Sequence, residues 1–280
     1  MRGLALAVLA CSVTACTASL DVDRFHKNEA EAAAALEVTY FDFVFAARNM
    51  QSHLDEAFEI RLVDKRDAVQ AKVVYVDIPL PDFRLELPKF VPKANGPYRI
   101  DFWSDHNHSG RYDGIEGGIN DKDHAWRRVL ADPLPEDVRL VGARYELAFL
   151  HDTAFVDIFT DLAGNPIPGA DTLLPFALRV NGAGPWSGKM VEVRVVEKGS
   201  GRLVALHREG RARESYVATV TGVLDEETPY EISVVADADG DGALAGSDPS
   251  WRLDLVSTGA GIGAEIDLGT APQAPSGEAR

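Results

Sequence analysis

Pro97-Tyr98-Arg99-Ile100-Asp101-Phe102-Trp103-Ser104-Asp105 and Pro229-Tyr230-Glu231-Ile232-Ser233-Val234-Val235-Ala236-Asp237 are one pattern written twice, 132 residues apart. Each opens on Pro-Tyr, continues through β-branched or aromatic residues and stops at an aspartate, a composition that reads as a strand running into a turn. Upstream, Glu59-Ile-Arg-Leu-Val-Asp-Lys65 and Glu192-Val-Arg-Val-Val-Glu-Lys198 match at an offset of 133. Two separated blocks that keep one register point to an internal repeat. Downstream, Trp126-Arg127 answers Trp251-Arg252 at an offset of 125, so the first copy carries seven extra residues (132 less 125) around Gly117–Asp123. Two copies make a tandem pair and not a solenoid.

Strands are expected near 38–47, 57–64, 72–79, 82–91, 98–104, 125–130, 143–151 and 154–159 in the first copy. In the second they are expected near 175–181, 190–197, 202–208, 215–223, 230–236, 250–256 and 263–268. Gly199-Ser-Gly201, Asp225-Glu-Glu-Thr-Pro229 and Gly259-Ala-Gly-Ile-Gly263 separate them as turns. Short strands without helical periodicity predict an all-β chain of two tandem antiparallel β-sandwich (Ig-like) domains from an internal duplication. In general plan this resembles the Ig-like modules of bacterial surface proteins. The expected domains are 37–160 and 171–270, joined by the Pro/Gly-rich linker 161–170 and followed by a disordered tail, 271–280.

Each aspartate opens a twelve-residue loop. Asp237-Ala-Asp239-Gly-Asp241-Gly242-Ala243-Leu244-Ala-Gly-Ser-Asp248 sets carboxylates at positions 1, 3, 5 and 12 and glycine at 6. Asp105-His-Asn107-His-Ser109-Gly110-Arg111-Tyr112-Asp113-Gly-Ile-Glu116 repeats the rhythm with Asp, Asn, Ser, Gly and Glu. Calcium takes six to eight hard oxygen ligands, and such spacing supplies them. Both loops resemble EF-hand and dockerin loops without the flanking helices. The resemblance implies calcium held by Asp237, Asp239, Asp241, the Ala243 carbonyl and Asp248. In the first loop it implies Asp105, Asn107, Ser109, the Arg111 carbonyl, Asp113 and Glu116. Leu244 and Tyr112, at position 8, are expected to pin the loops to the core. With four carboxylates against three, the second loop is the expected tighter site.

A rival metal site lies in the first copy. Met50, His53, His106, His108 and His124 are thioether and imidazole donors, which suit copper or zinc rather than calcium. The second copy has Ala183 and Trp186 where Met50 and His53 stand. Trp103, Trp126 and Trp251, at the loop flanks, are expected as core plugs, with an exposed sugar platform as the alternative.

A net charge of −16 disfavours nucleic acid and anionic membrane surfaces, leaving cations as the natural small partners. Residues 1–16 read as an export signal, with Arg2 before the apolar run Leu4–Ala10. Val13-Thr14-Ala15-Cys16 resembles the bacterial lipobox, which implies lipidation at Cys16, a tether over 17–36 and a membrane-anchored lipoprotein of the cell envelope, in the outer membrane or facing the periplasm. Both cysteines fall in this segment, so the expected domains carry no disulfide and calcium is a plausible staple in their place. No P-loop, Gly-x-Ser-x-Gly or dinucleotide fingerprint is present. The expected role is a non-catalytic calcium-binding surface or spacer module whose protein or glycan partner is unknown. Copper or zinc handling and an enzyme with an unrecognised site are the alternatives.

Overall fold

The computed structural model describes residues 39–115, 122–167 and 173–272. The expected signal peptide, the tether, the Cys16 anchor, Glu116 and nearly all of the tail lie outside these residues. The chain is all-β, with no α-helix among the described residues. The first half supplies β1 (Tyr40–Arg48), β2 (Phe58–Val63), β3 (Val69–Val76), β4 (Phe83–Pro92), β5 (Tyr98–Ser104), β6 (His124–Leu130), β7 (Val138–Val141) and β8 (Arg144–Leu150). The second supplies β9 (Leu174–Asn181), β10 (Val191–Glu197), β11 (Leu203–Glu209), β12 (Tyr216–Leu224), β13 (Pro229–Ala236), β14 (Ser250–Val256) and β15 (Ile262–Asp267).

The strands form three sheets, β4-β1-β8-β7, β12-β9-β15, and an eight-stranded sheet β14-β13-β10-β11-β3-β2-β5-β6. The pairing of the first half recurs in the second. β1 lies antiparallel to β4 and parallel to β8, as β9 lies antiparallel to β12 and parallel to β15. The eight-stranded sheet takes four strands from each half, joined where β3 and β11 run parallel with Val73 opposite Leu206. The described residues form one compact unit.

Because side chains alternate across a strand, the seam sends neighbours to opposite faces. Val73, Tyr75 and Leu206 enter one core with Phe43, Phe45 and Phe102. Val74 and Ala205 enter the other, with Phe176, Val193 and Tyr230. The two cores therefore lie on opposite faces of one sheet. All seven residues of β11 are buried, as expected for a strand covered on both faces.

The seam also carries paired charges. Arg208 donates to Glu192 at 2.8 and 2.5 Å and lies over the Tyr75 ring at 5.4 Å. Burial alone would raise the Glu192 carboxyl, but Arg208 and Arg194 outweigh it and hold it below its ordinary value. On the other face, Lys72 reaches Thr221 at 3.3 Å. Past the end of β11, a Cβ on Gly210 would sit 2.3 Å from the Asp77 carbonyl oxygen, so only glycine fits there.

Two strand expectations change. The stretch 154–159 is a loop, because Asp152 and Asp157 accept the Ala154 and Phe159 backbone N–H groups at 2.9 Å and turn the chain. Strand β7 was not expected; it is four residues long, mostly exposed, and joined to β8 by a tight hairpin at Gly142. The joint after it is tied back to the first half, where Arg127 donates to the Ile158, Thr160 and Asp161 carbonyls.

Candidate metal centre

Four of the six described histidines meet at one end of the first sandwich. A single 3₁₀ turn, Gln51–His53, sets His53 fully buried at the sheet end. Ser104 ends β5 and faces His124, which opens β6. His106 follows two residues after Ser104. His151 follows β8 and is fixed by its backbone N–H donating to the Arg48 carbonyl at 3.0 Å.

The ring nitrogens converge. His53 Nε2 is 3.0 Å from His151 Nε2 and 3.3 Å from His124 Nδ1. The ligand atoms of His53, His124 and His151 all lie within 4.8 Å of one another. Glu56 is the hub behind them. It meets His53 Nδ1 at 2.7 Å and His106 Nδ1 at 2.7 Å, and accepts Ser104 Oγ at 2.5 Å. Burial pushes the Glu56 carboxyl up, yet the bonds from His53, Ser104 and His106 prevail and hold it below its ordinary value. A charged Glu56 fixes the proton of His53 on Nδ1 and leaves Nε2 as a lone pair. That lone pair can accept one hydrogen, whereas two imidazole nitrogens approach it. Burial lowers the His151 pKa from its ordinary value, and a protonated His53 would lower it further.

Aromatic rings close the site. Trp126 meets His53 edge-on at 5.8 Å, and Phe155 stacks on His124 at 4.1 Å. His106 stacks on the other face of His124 at 4.3 Å and remains partly exposed.

Of the residues expected here, the structure brings together His53, His106 and His124. Met50 lies in the hydrophobic core, and His108 points outward from a residue with φ of 55°. Glu56, Ser104 and His151 were missed. Glu56 had a signal in the His53-x-x-Glu56 spacing; His151 had none, standing 98 residues from His53.

Equivalent positions in the second half carry none of this chemistry. Trp186 ends the matching 3₁₀ turn, Lys189 stands where Glu56 does, and Ala238 where His106 does. Pro249 and Leu268 replace His124 and His151, Leu268 keeping the matching backbone bond to Asn181. The fold does not require the histidines.

The two acidic loops are shaped alike. Asp237 accepts Gly240 N–H at 2.7 Å and Gly242 N–H at 2.9 Å. Asp105 accepts Ser109 N–H at 2.8 Å and Gly110 N–H at 2.9 Å. Gly242 and Gly110, at position 6, have φ of 80° and 76°. Asp239 and Asp241 are exposed and accept the Asp241 and Ala243 N–H groups. Asp248 is buried and accepts Ala238 and Ala245 N–H groups; Asp237, Asp239 and Asp248 offer oxygens within 4.8 Å of one another. In the first loop Asn107 donates to Asp113 at 3.1 Å, and Ser109 Oγ donates to the Arg111 carbonyl at 2.8 Å. Tyr112 is buried against Trp103, as expected of position 8, whereas Leu244 is half-buried. Burial, and behind it the Asp113 and Asp105 carboxylates, push Asp123 up to about 6. Trp103, Trp126 and Trp251 are all buried core plugs.

No protein-family model and no curated protein matches the chain. Among solved structures, the fimbrial anchor protein Mfa2 from Porphyromonas gingivalis is similar at 13% identity over 81% of this chain and 90% of that one, with a TM-score of 0.19. A superposition that low carries no argument about fold or role.

Proposed function

We propose that this is an exported cell-envelope protein that binds one borderline transition ion, Zn²⁺ or Cu²⁺, through His53, His124 and His151. The observation that carries the reading is the approach of two imidazole nitrogens to His53 Nε2, at 3.0 and 3.3 Å. Zinc–nitrogen bonds of 2.0–2.1 Å in a tetrahedron hold the nitrogens about 3.3 Å apart. The Glu56–His53 pair has the form of the carboxylate that orients a metal-bound imidazole. With Met50 in the core, no thioether joins the set, so Cu⁺ is a poorer fit than Zn²⁺ or Cu²⁺. The reading is one of binding, and lipid anchoring at Cys16 remains part of it on the strength of the lipobox-like sequence.

Metal analysis of purified protein, followed by zinc and copper titration of chelator-stripped wild type and His53→Ala, tests it. One equivalent of ion lost in His53→Ala is expected. A stripped wild type that takes up neither ion at micromolar concentration removes the proposal.

A second reading rests on the convergence of Asp237, Asp239 and Asp248. Their carboxylates form a calcium-type site that staples the second sandwich. Chelation with EGTA should then lower the melting temperature, and calcium should restore it.

A further inference from the structure

The first loop has its closing carboxylate outside the twelve-residue frame. The registers of β5–β6 and β13–β14 decide this. Phe102 faces Trp126 in one pair and Val234 faces Trp251 in the other, so the loops between are matched at both ends. Counting forward from Phe102 and Val234 makes Asp105 equivalent to Asp237. Counting back from the two tryptophans makes Asp123 equivalent to Asp248.

The two closing aspartates differ in one respect. Both oxygens of Asp248 accept backbone N–H groups, from Ala238 and Ala245. Among the described residues, the backbone donor to Asp123 is Asp113 N–H, at 2.8 Å on Oδ2. Asp123 Oδ1 is shut off from solvent and has no hydrogen-bond partner among the described residues, in a side chain whose residue is 1% exposed. Asp113 and Asp105 are close enough to add their negative charge to it, and Asn107, which shares the Ser109 N–H with Asp105, donates to Asp113. Lys122 Nζ reaches Asp113 Oδ1 at 3.7 Å, with both side chains partly exposed. A buried carboxylate oxygen without a donor, beside further carboxylates, is costly unless a cation meets it. Ligands that are all hard oxygens on a glycine-turned loop select a divalent ion of the calcium class.

We infer that Asp105, Asn107, Asp113 and Asp123 form a hard-cation site in the first sandwich, closed by Asp123 Oδ1. It shares no side chain with the histidine centre and does not depend on it. It also stands if the second loop binds nothing, since that loop serves only as a geometric match.

The test is calorimetric titration of calcium into the EGTA-stripped full chain, free of transition metals, for wild type, Asp123→Asn and Asp248→Asn. Loss of one carboxylate is expected to weaken one calcium event about tenfold or more in Asp123→Asn, and that event should persist in Asp248→Asn. His53→Ala should retain it, which separates this site from the histidine centre. Thermal melting gives a second readout with a sign change. In EGTA, Asp123→Asn should melt above wild type, because the repelling carboxylate is gone; in saturating calcium it should melt below. Wild-type calcium affinity in Asp123→Asn overturns the inference. So does a melting order that calcium leaves unchanged, or a variant that fails to fold in EGTA, since Asp123 would then be a structural anchor.

Discussion

His53 Nε2 and His151 Nε2 lie 3.0 Å apart although 98 residues separate them in the chain. One sits on a 3₁₀ turn after β1 and the other at the end of β8, and the parallel pairing of those strands brings them together. The equivalent of His151 in the second half is the core residue Leu268. His151→Leu should therefore be tolerated by the fold while removing a ligand. Zinc affinity is expected to fall by more than the ~10–100-fold that loss of a supporting residue costs, and the metal-free protein should melt no lower than wild type. Titration and thermal melting of the stripped protein check the two halves of the prediction.

Glu56 offers a milder test of the same centre. Glu56→Gln keeps the shape but removes the charge that holds the proton on His53 Nδ1. Zinc binding should weaken by about 10–100-fold with unchanged stoichiometry. Equal affinity would mean that the carboxylate orients nothing.

Acid should act on the seam. Glu192 is held below its ordinary value of 4.5, since Arg208 and Arg194 outweigh the effect of burial. As pH falls, the unfolded chain takes up this proton before the folded one does. The stabilisation is thus complete above the unfolded value and is lost as pH falls through the lower folded value. Glu192→Gln should melt lower near neutrality, by an amount equivalent to about 3–5 kcal/mol for a broken buried pair. It should also show a shallower loss of melting temperature below pH 4.5. Parallel acid slopes in the two proteins would exclude Glu192 as the group responsible.

Gly210 tests the seam sterically. A Cβ there meets the Asp77 carbonyl oxygen at 2.3 Å, so Gly210→Ala must push β3 and β11 apart at one end. A cost of about 1–3 kcal/mol is expected, as for overpacking elsewhere, with hydrogen exchange faster along Leu206–Glu209. A chemical denaturation curve superimposable on wild type would show that the contact relaxes freely.

The strands of both sandwiches were legible because most have one buried and one open face, so their sequences alternate; Phe176, Leu178 and Val180 in β9 are of this kind. The seam was not legible. In β11, Leu-Val-Ala-Leu-His-Arg-Glu is buried on both faces, and its charged end is matched by Glu192 and by Tyr75 of another half, which no local pattern announces. The same limit applied to the sites. Asp237–Asp248 is contiguous, so its carboxylates could be read by spacing. The histidine centre is assembled from four places in the chain, and His151 stands alone in its segment. Asp121 and Asp123 are legible as extra acids that could supplement the first loop, and the offset shared by Trp126 and Trp251 singles out Asp123, but the twelve-residue spacing ends at Glu116.

The parallel junction of β3 with β11, with a core on either face, has the form of an isologous contact about a two-fold axis running along the strands. Each half covers the backbone edge that the other would otherwise leave exposed. Cutting the chain between 161 and 170 would then release two pieces that each present an uncapped, apolar ribbon. Either piece, expressed alone, is set up to associate with a copy of itself through the strand it normally gives to its sister. What joins the two halves is therefore also the geometry by which a one-sandwich protein of this kind would dimerise.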